Sequence, residues 1–294
     1  MKLYTYCHTP DGPDMLGVGY TSQPGLLYPL EAFGLSIKDM NELICTVPQK
    51  QLDTLRTPPA GAEPIALSSI TLRAPIPHPM QDVLCLGINY RAHQEEAGRF
   101  SEEAFGDRPR AIYFSKRVNV ATGDGAPIPR YAQLVDSLDY ENELGVILGR
   151  DAWQVREEDA EQYIFGYTVI NDVSARNLQT GHKQWYFGKS LDGFTPMGPC
   201  IVTADEITYP PALAVRTHVN GELRQDGNTN QFITNISQII AELSQGMTLK
   251  AGTVIATGTP AGVGMGMQPP CFLECGDTVV CEIEGIGTLT NTVV

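Results

Sequence analysis

Positive charge is scarce in this chain. Twenty Lys and Arg stand against 34 Asp and Glu, a formal net charge of −14. With no basic cluster to offset it, such a surface repels nucleic-acid phosphates and anionic lipid. Long apolar runs are missing too: no stretch of about 18 such residues occurs. The opening MKLYTYCHTPDGPDML has polar residues and Pro where a signal peptide needs an uninterrupted apolar core. The expectation is a cytoplasmic protein with neither nucleic acid nor membrane as partner. Zinc-type CxxC or Cys/His spacing is also absent, so the seven cysteines, odd in number, read as reduced and mostly buried thiols.

What is present is an ordinary globular composition, 42% hydrophobic and 18% charged over 294 residues. Two proline-rich stretches, Arg56 to Pro64 and Ala74 to Pro79, bracket a boundary near residue 76. They predict a small N-terminal domain over 1–75 and a larger one over 76–294. Beyond the boundary strand signals dominate, at Val83–Ile88, Ala111–Ser115, Tyr140–Leu148, Phe165–Ile170, Thr253–Thr257 and Thr278–Ile283. Asn220-Gly221 lies between two alternating runs and predicts a hairpin. Helical patterns cover Glu157–Tyr163 and Asn230–Ser244, the second with Ile233, Ile236, Ile240 and Leu243 on one face. Without regular strand–helix alternation, the fold class is α+β, mainly β, rather than a doubly wound parallel sheet.

Several segments carry chemistry. In DYENELGVIL, residues i and i+2 of a strand share a face, so Glu141 and Glu143 project together while Leu144 and Val146 turn away. Two such carboxylates repel unless a cation lies between them or one takes a proton; an isolated ExE is more ordinarily a solvated strand face. Asp172 ends the next apolar run, where a lone Asp commonly forms a turn or cap. Together the three acids make a hard oxygen site suited to Mg²⁺ or Mn²⁺. Lys189 lies between aromatics and glycines, where a lysine can keep its ammonium near a negative centre, although most lysines are simply solvated. The loop Thr257 to Gly264 lacks the ending of a P-loop, and its amides suit a small carboxylate instead. His93 and Glu96 are three apart on a helical stretch, where a carboxylate orients an imidazole for proton abstraction; by spacing alone a surface helix is the plainer reading. Residues 98–110 have the polar, Gly-containing composition of a mobile loop.

Taken together these segments resemble the fumarylacetoacetate hydrolase family: GxNYxxHxxE at 87–96, DYExEL at 139–144, NDVSAR at 171–176, QWxxGKSxD at 184–192, TGTPAGVG at 257–264 and the closing GDTVVCEIEGIGTLTN at 276–291. The resemblance covers about residues 80 to 294 and implies a mixed β-roll catalytic domain, usually in a homodimer, behind a variable N-terminal extension. It implies that Glu141, Glu143 and Asp172 ligate Mg²⁺ or Mn²⁺ and that Lys189 stabilises the substrate oxyanion. It further implies that His93 with Glu96 activates water on a lid, that Gln179 contacts substrate, and that Thr259 lies in the loop holding the substrate carboxylate. One departure is Lys116-Arg117, where many members have Lys-Pro. The expected reaction is C–C hydrolysis of a small 2-oxo acid of acylpyruvate type, favoured because a His–Glu pair is superfluous for decarboxylation alone. Oxaloacetate decarboxylation, isomerisation or hydration of an unsaturated dicarboxylate, and a non-catalytic metal-stabilised ligand-binding protein are the alternatives.

Overall fold

A computed structural model of the chain describes residues 1–100 and 110–294. Its strands in chain order are β1 Lys2–Cys7, β2 Met15–Gly19, β3 Leu26–Pro29, β4 Ile65–Ala66, β5 Thr71–Leu72, β6 Val83–Gly87, β7 Ile112–Lys116, β8 Leu138–Asp139, β9 Asn142–Leu148, β10 Ile164–Asn171, β11 Ser174–Ala175, β12 Met197–Thr203, β13 Ala214–Val219, β14 Glu222–Asn228, β15 Val254–Ala256, β16 Thr278–Ile283 and β17 Gly287–Thr292. Most join one large sheet of order β4-β3-β2-β1-β12-β10-β9-β15-β6-β7, with β5 paired to β1. A second sheet, β14-β13-β16-β17, lies against the middle of the first. The fold is thus mainly sheet with a few helices.

The sequence pattern of β9 explains the layering. Leu144, Val146 and Leu148 enter a core shared with Val215, Val219, Val279 and Ile283 of the smaller sheet. Ile147 enters a separate core on the opposite side with Leu3, Val18, Met40, Leu43 and Ile44. Every residue of β9 is consequently buried, as expected for a central strand covered on both faces. Each such aliphatic side chain contributes about 1.5–3 kcal/mol by leaving water.

Residues 1–75 contribute β1 to β5, and β1 hydrogen-bonds directly to β12 through Lys2↔Val202 and Leu3↔Ile201. The expected hairpin is present: Asn220 and Gly221 both have positive φ, 52° and 83°, joining β13 to β14. The Glu157–Tyr163 stretch is a 3₁₀ helix. The pattern over 230–244 breaks in two, a 3₁₀ turn at Thr229–Gln231 and an α-helix at Ile236–Ser244. The break has a local cause. Asn89 accepts the Thr234 amide at 2.8 Å and its carbonyl accepts that of Ile233, while Asn235 caps the helix through Gln238. Ile233 is left exposed rather than on the core face. Among the described residues no helix is long and apolar enough to cross a membrane. All seven cysteines are free; Cys45, Cys271 and Cys275 are exposed and the rest buried. The expected loop over 98–110 lies largely outside the described residues.

Candidate active site

One antiparallel pairing and two hydrogen bonds bring the acids together. β9 pairs with β10 so that Glu143 lies opposite Ile170 and Asn142 opposite Asn171. Glu141 precedes β9, and its backbone is fixed where its amide donates to Asn171 and its carbonyl accepts from Asp172. The carboxylates of Glu141, Glu143 and Asp172 consequently offer oxygens all within 4.8 Å of one another, and all three residues are buried. A solvated strand face is thereby overturned: these charges are out of water and must be compensated.

Compensation comes from three buried cations. Lys189 Nζ donates to Glu141 Oε2 at 2.5 Å and to Asp172 Oδ2 at 2.7 Å. Lys116 Nζ donates to Asp172 Oδ1 at 2.5 Å. Arg176 lies 2.6 Å from Glu141 Oε1 and donates through Nε to Asp139 Oδ2 at 2.9 Å. Asp139 also accepts the amides of Gly264 and Met265 at 2.7 and 3.0 Å, tying the Arg176–Gly181 helix to the glycine-rich loop.

With four carboxylates against three cations, the cluster carries one excess negative charge if all seven are ionised. Burial tends to raise the Glu141 carboxyl, but Lys189, Arg176 and His93 outweigh it and hold Glu141 below the ordinary carboxylate range. Glu143 goes the other way: burial first, then the charges of Asp172 and Glu141, push it well above that range against Lys189 and the Gly258 amide. Lys189 is raised because Asp172 and Glu141 overcome the lowering effect of its burial. A proton on Glu143 therefore balances the cluster without metal, and a divalent cation replacing that proton leaves it net positive by one, suited to an anionic ligand. The all-oxygen donor set, its excess charge and its spacing fit a hard divalent ion.

His93 is 3% exposed, not a surface residue. On the Arg91–Phe100 helix its Nδ1 lies 3.1 Å from Glu96 Oε2, and Glu96 also accepts the Gly262 amide at 3.0 and 3.2 Å. His93, Glu141, Glu143, Arg176, Gln179, Lys189 and Thr259 line one cavity, closed on its other sides by Leu86, Ile88, Phe114, Trp185 and Met265. Its free space is about 10 Å³, barely room for one water. Asp172 is buried behind this wall and meets it through Lys189.

Gln179 accepts from Arg176 at 3.0 Å. The Thr259 hydroxyl is already engaged, donating to the Asn142 carbonyl at 2.9 Å and accepting from Gln225 at 2.8 Å. Loop amides expected to be available to a small carboxylate are partly taken by the protein itself, Gly258 by Glu143 at 2.7 Å and Gly262 by Glu96. Gly258 is required there: its φ is +93°, and a Cβ would lie 2.6 Å from that of Asn89.

The Fumarylacetoacetate (FAA) hydrolase C-terminal family matches residues 82–294. The chain belongs to the fumarylacetoacetate hydrolase family. It is 45% identical over 233 residues to oxaloacetate tautomerase YisK of Bacillus subtilis, covering 79% of this chain and 76% of that one. A fumarylacetoacetate hydrolase from Exiguobacterium antarcticum superposes with a TM-score of 0.84 at 38% identity, over 100% of this chain and 99% of the other. Maleylpyruvate hydrolase from Sphingobium sp. SYK-6, solved with manganese(II) and pyruvate, superposes with a TM-score of 0.79 at 27% identity over 100% and 99%. Family relatives thus include a tautomerase and hydrolases.

Sequence reasoning assigned no role to Arg176, Lys116, Asp139 or Asn89. Arg176 and Asp139 stand inside the NDVSAR and DYExEL segments, and a charged residue beside an apolar strand end was the available signal. For Lys116 the signal was the Lys that many family members share at this place; spacing offers none, because a lysine closing a strand looks the same whether solvated or buried.

Proposed function

We propose that the protein is a Mg²⁺- or Mn²⁺-dependent enzyme that interconverts the keto and enol forms of a small 2-oxo acid of oxaloacetate type. The observation that carries this reading is a buried imidazole, held by its own carboxylate, on the wall of the same cavity as two acids of the triad. A bound divalent cation would supply Lewis-acid stabilisation of negative charge on the 2-oxo oxygen. Glu141, Glu143 and Asp172 would hold it. Lys189 contributes a second positive charge at the oxyanion. His93, oriented by Glu96, removes the proton from the carbon next to the 2-oxo group and delivers it to the 2-oxo oxygen to give the enol; in the reverse direction it takes the enol O–H proton and returns it to that carbon. The apolar wall excludes water from that exchange. The likeness to an oxaloacetate tautomerase supports this choice of reaction.

A second reading is hydrolysis of an acylpyruvate, in which His93 deprotonates water for attack on the distal carbonyl. A specific feature favours it: Leu86, Ile88, Phe114, Trp185 and Met265 offer an acyl group an apolar wall, and no cation among the described lining residues stands free of an acid to meet a second carboxylate.

The deciding experiment follows oxaloacetate enol decay and pyruvate release from acetylpyruvate in parallel, with Mg²⁺ or Mn²⁺, for wild type and His93→Ala. Loss of about 10²–10⁴-fold in enol conversion by His93→Ala is expected if His93 is the base. Wild-type release of pyruvate without catalysed enol conversion selects the hydrolase. Neither activity on these substrates refutes both.

A further inference from the structure

We infer that Lys116 is a positioning residue that decides which Asp172 oxygen can face a cation, and so sets the triad for Mg²⁺ or Mn²⁺ against Ca²⁺. The inference rests on the reading of this site as a divalent-metal centre.

The argument begins with the ammonium itself. A lysine has three N–H donors, and those of Lys116 meet Asp172 Oδ1 at 2.5 Å, the Phe194 carbonyl at 2.6 Å and the Val173 carbonyl at 3.2 Å. The side chain is fully buried, so no donor has water as an alternative. Lys116 is thereby fixed at the end of β7. Asp172 Oδ1 is fixed with it, leaving Oδ2 as the oxygen turned to the cluster.

The same division recurs at the other two acids. Arg176 takes Glu141 Oε1 and leaves Oε2; the Gly258 amide takes Glu143 Oε2 and leaves Oε1. Three donors on three different elements therefore each hold one oxygen of one carboxylate. Lys189 differs from Lys116 and Arg176 because it bonds the remaining oxygens, Glu141 Oε2 and Asp172 Oδ2. It is the cation that a metal ion held by those oxygens would have to displace.

Three carboxylates limited to one oxygen apiece supply three ligands, with the remaining octahedral positions left to water or substrate. That number suits Mg²⁺ and Mn²⁺. Ca²⁺ takes six to eight oxygens, commonly through bidentate carboxylates, and cation choice follows ligand number and rigidity. Releasing Asp172 Oδ1 opens a bidentate arrangement that the larger ion uses better.

Calorimetric titration of full-length wild type and Lys116→Met with Mg²⁺, Mn²⁺ and Ca²⁺ tests this. Wild type is expected to favour Mg²⁺ and Mn²⁺ over Ca²⁺, and the Mg²⁺ to Ca²⁺ affinity ratio is expected to fall by about tenfold or more in the variant. A folded Lys116→Met with an unchanged ratio overturns the inference alone, because a purely structural lysine changes all affinities together. Wild type that binds none of the three ions overturns the metal reading beneath it as well. Should the variant not fold, a crystal structure of Mn²⁺-loaded wild type decides. Asp172 ligating through Oδ2 alone, with Oδ1 still on Lys116, supports the inference, and ligation through both oxygens overturns it.

Discussion

Glu96 accepts the Gly262 amide with both carboxylate oxygens while the same carboxylate holds His93. One side chain thus joins the helix bearing the imidazole to the loop bearing Thr259. The contact is close enough to exclude other residues: a Cβ on Gly266 would lie 2.0 Å from the Glu96 side chain.

Gly266→Ala should therefore displace Glu96 and, through it, His93. Overpacking of this kind costs about 1–3 kcal/mol, read as a lower Tm, and the rate should fall with metal affinity unchanged. Normal turnover in this variant would show that His93 needs no support from Glu96.

Asp139 draws on Arg176 and on the amides of Gly264, Met265 and Tyr140. Removing one partner of a buried ion pair costs about 3–5 kcal/mol because the other charge stays in low dielectric. Asp139→Ala should lower stability by that order in denaturant unfolding, and Arg176, freed from Asp139, should hold Glu141 less firmly. A loss under about 1 kcal/mol would mean that solvent reaches Arg176 when its partner is gone.

The pH dependence follows from Glu143. Burial, then Asp172 and Glu141, raise its folded pKa above the unfolded value. The stability this gives is complete below the ordinary carboxylate range and is lost as pH rises through the raised folded value. Metal-free protein should accordingly melt at lower temperature as pH climbs across that interval, whereas Mg²⁺ or Mn²⁺ affinity climbs because the cation displaces the proton. Glu141, held low, acts oppositely and only at acid pH: its contribution disappears as pH falls through its depressed value. Tm measured against pH for wild type and Glu143→Gln checks this, with the decline expected to flatten in the variant.

Much of the site was legible because its chemistry-bearing residues fall in short, contiguous motifs. Glu141 and Glu143 are two apart, so strand geometry puts them side by side, whereas Asp172 joins them as ligands through the family resemblance of the NDVSAR segment. The His93–Glu96 i,i+3 contact is legible in the spacing, where a surface helix is the plainer reading; their burial is not, since it depends on the distant loop at Gly262 to Gly266. Lys116 was overlooked for a like reason: its acceptors on Val173 and Phe194 lie 57 and 78 residues away. The helix over 230–244 was drawn too long because periodicity at Ile233 could not reveal Asn89 competing for the backbone. In the N-terminal part, the prolines of 56–64 and 74–79 were visible, whereas the pairing of β1 with β12 depends on partners about 200 positions apart.

Because β9 carries Glu143 and is packed from both sides, that strand has no inert face on which damage can be isolated. Close-packed interiors pass strain along rather than absorb it. A lesion at Met40 or Leu43, in the layer beyond Ile147, can shift the same backbone that aims a carboxylate, and so can one at Val215 beneath Leu144. Thermal wear and loss of function should therefore arrive together, and variants selected only for hardiness should alter metal uptake without touching a ligand.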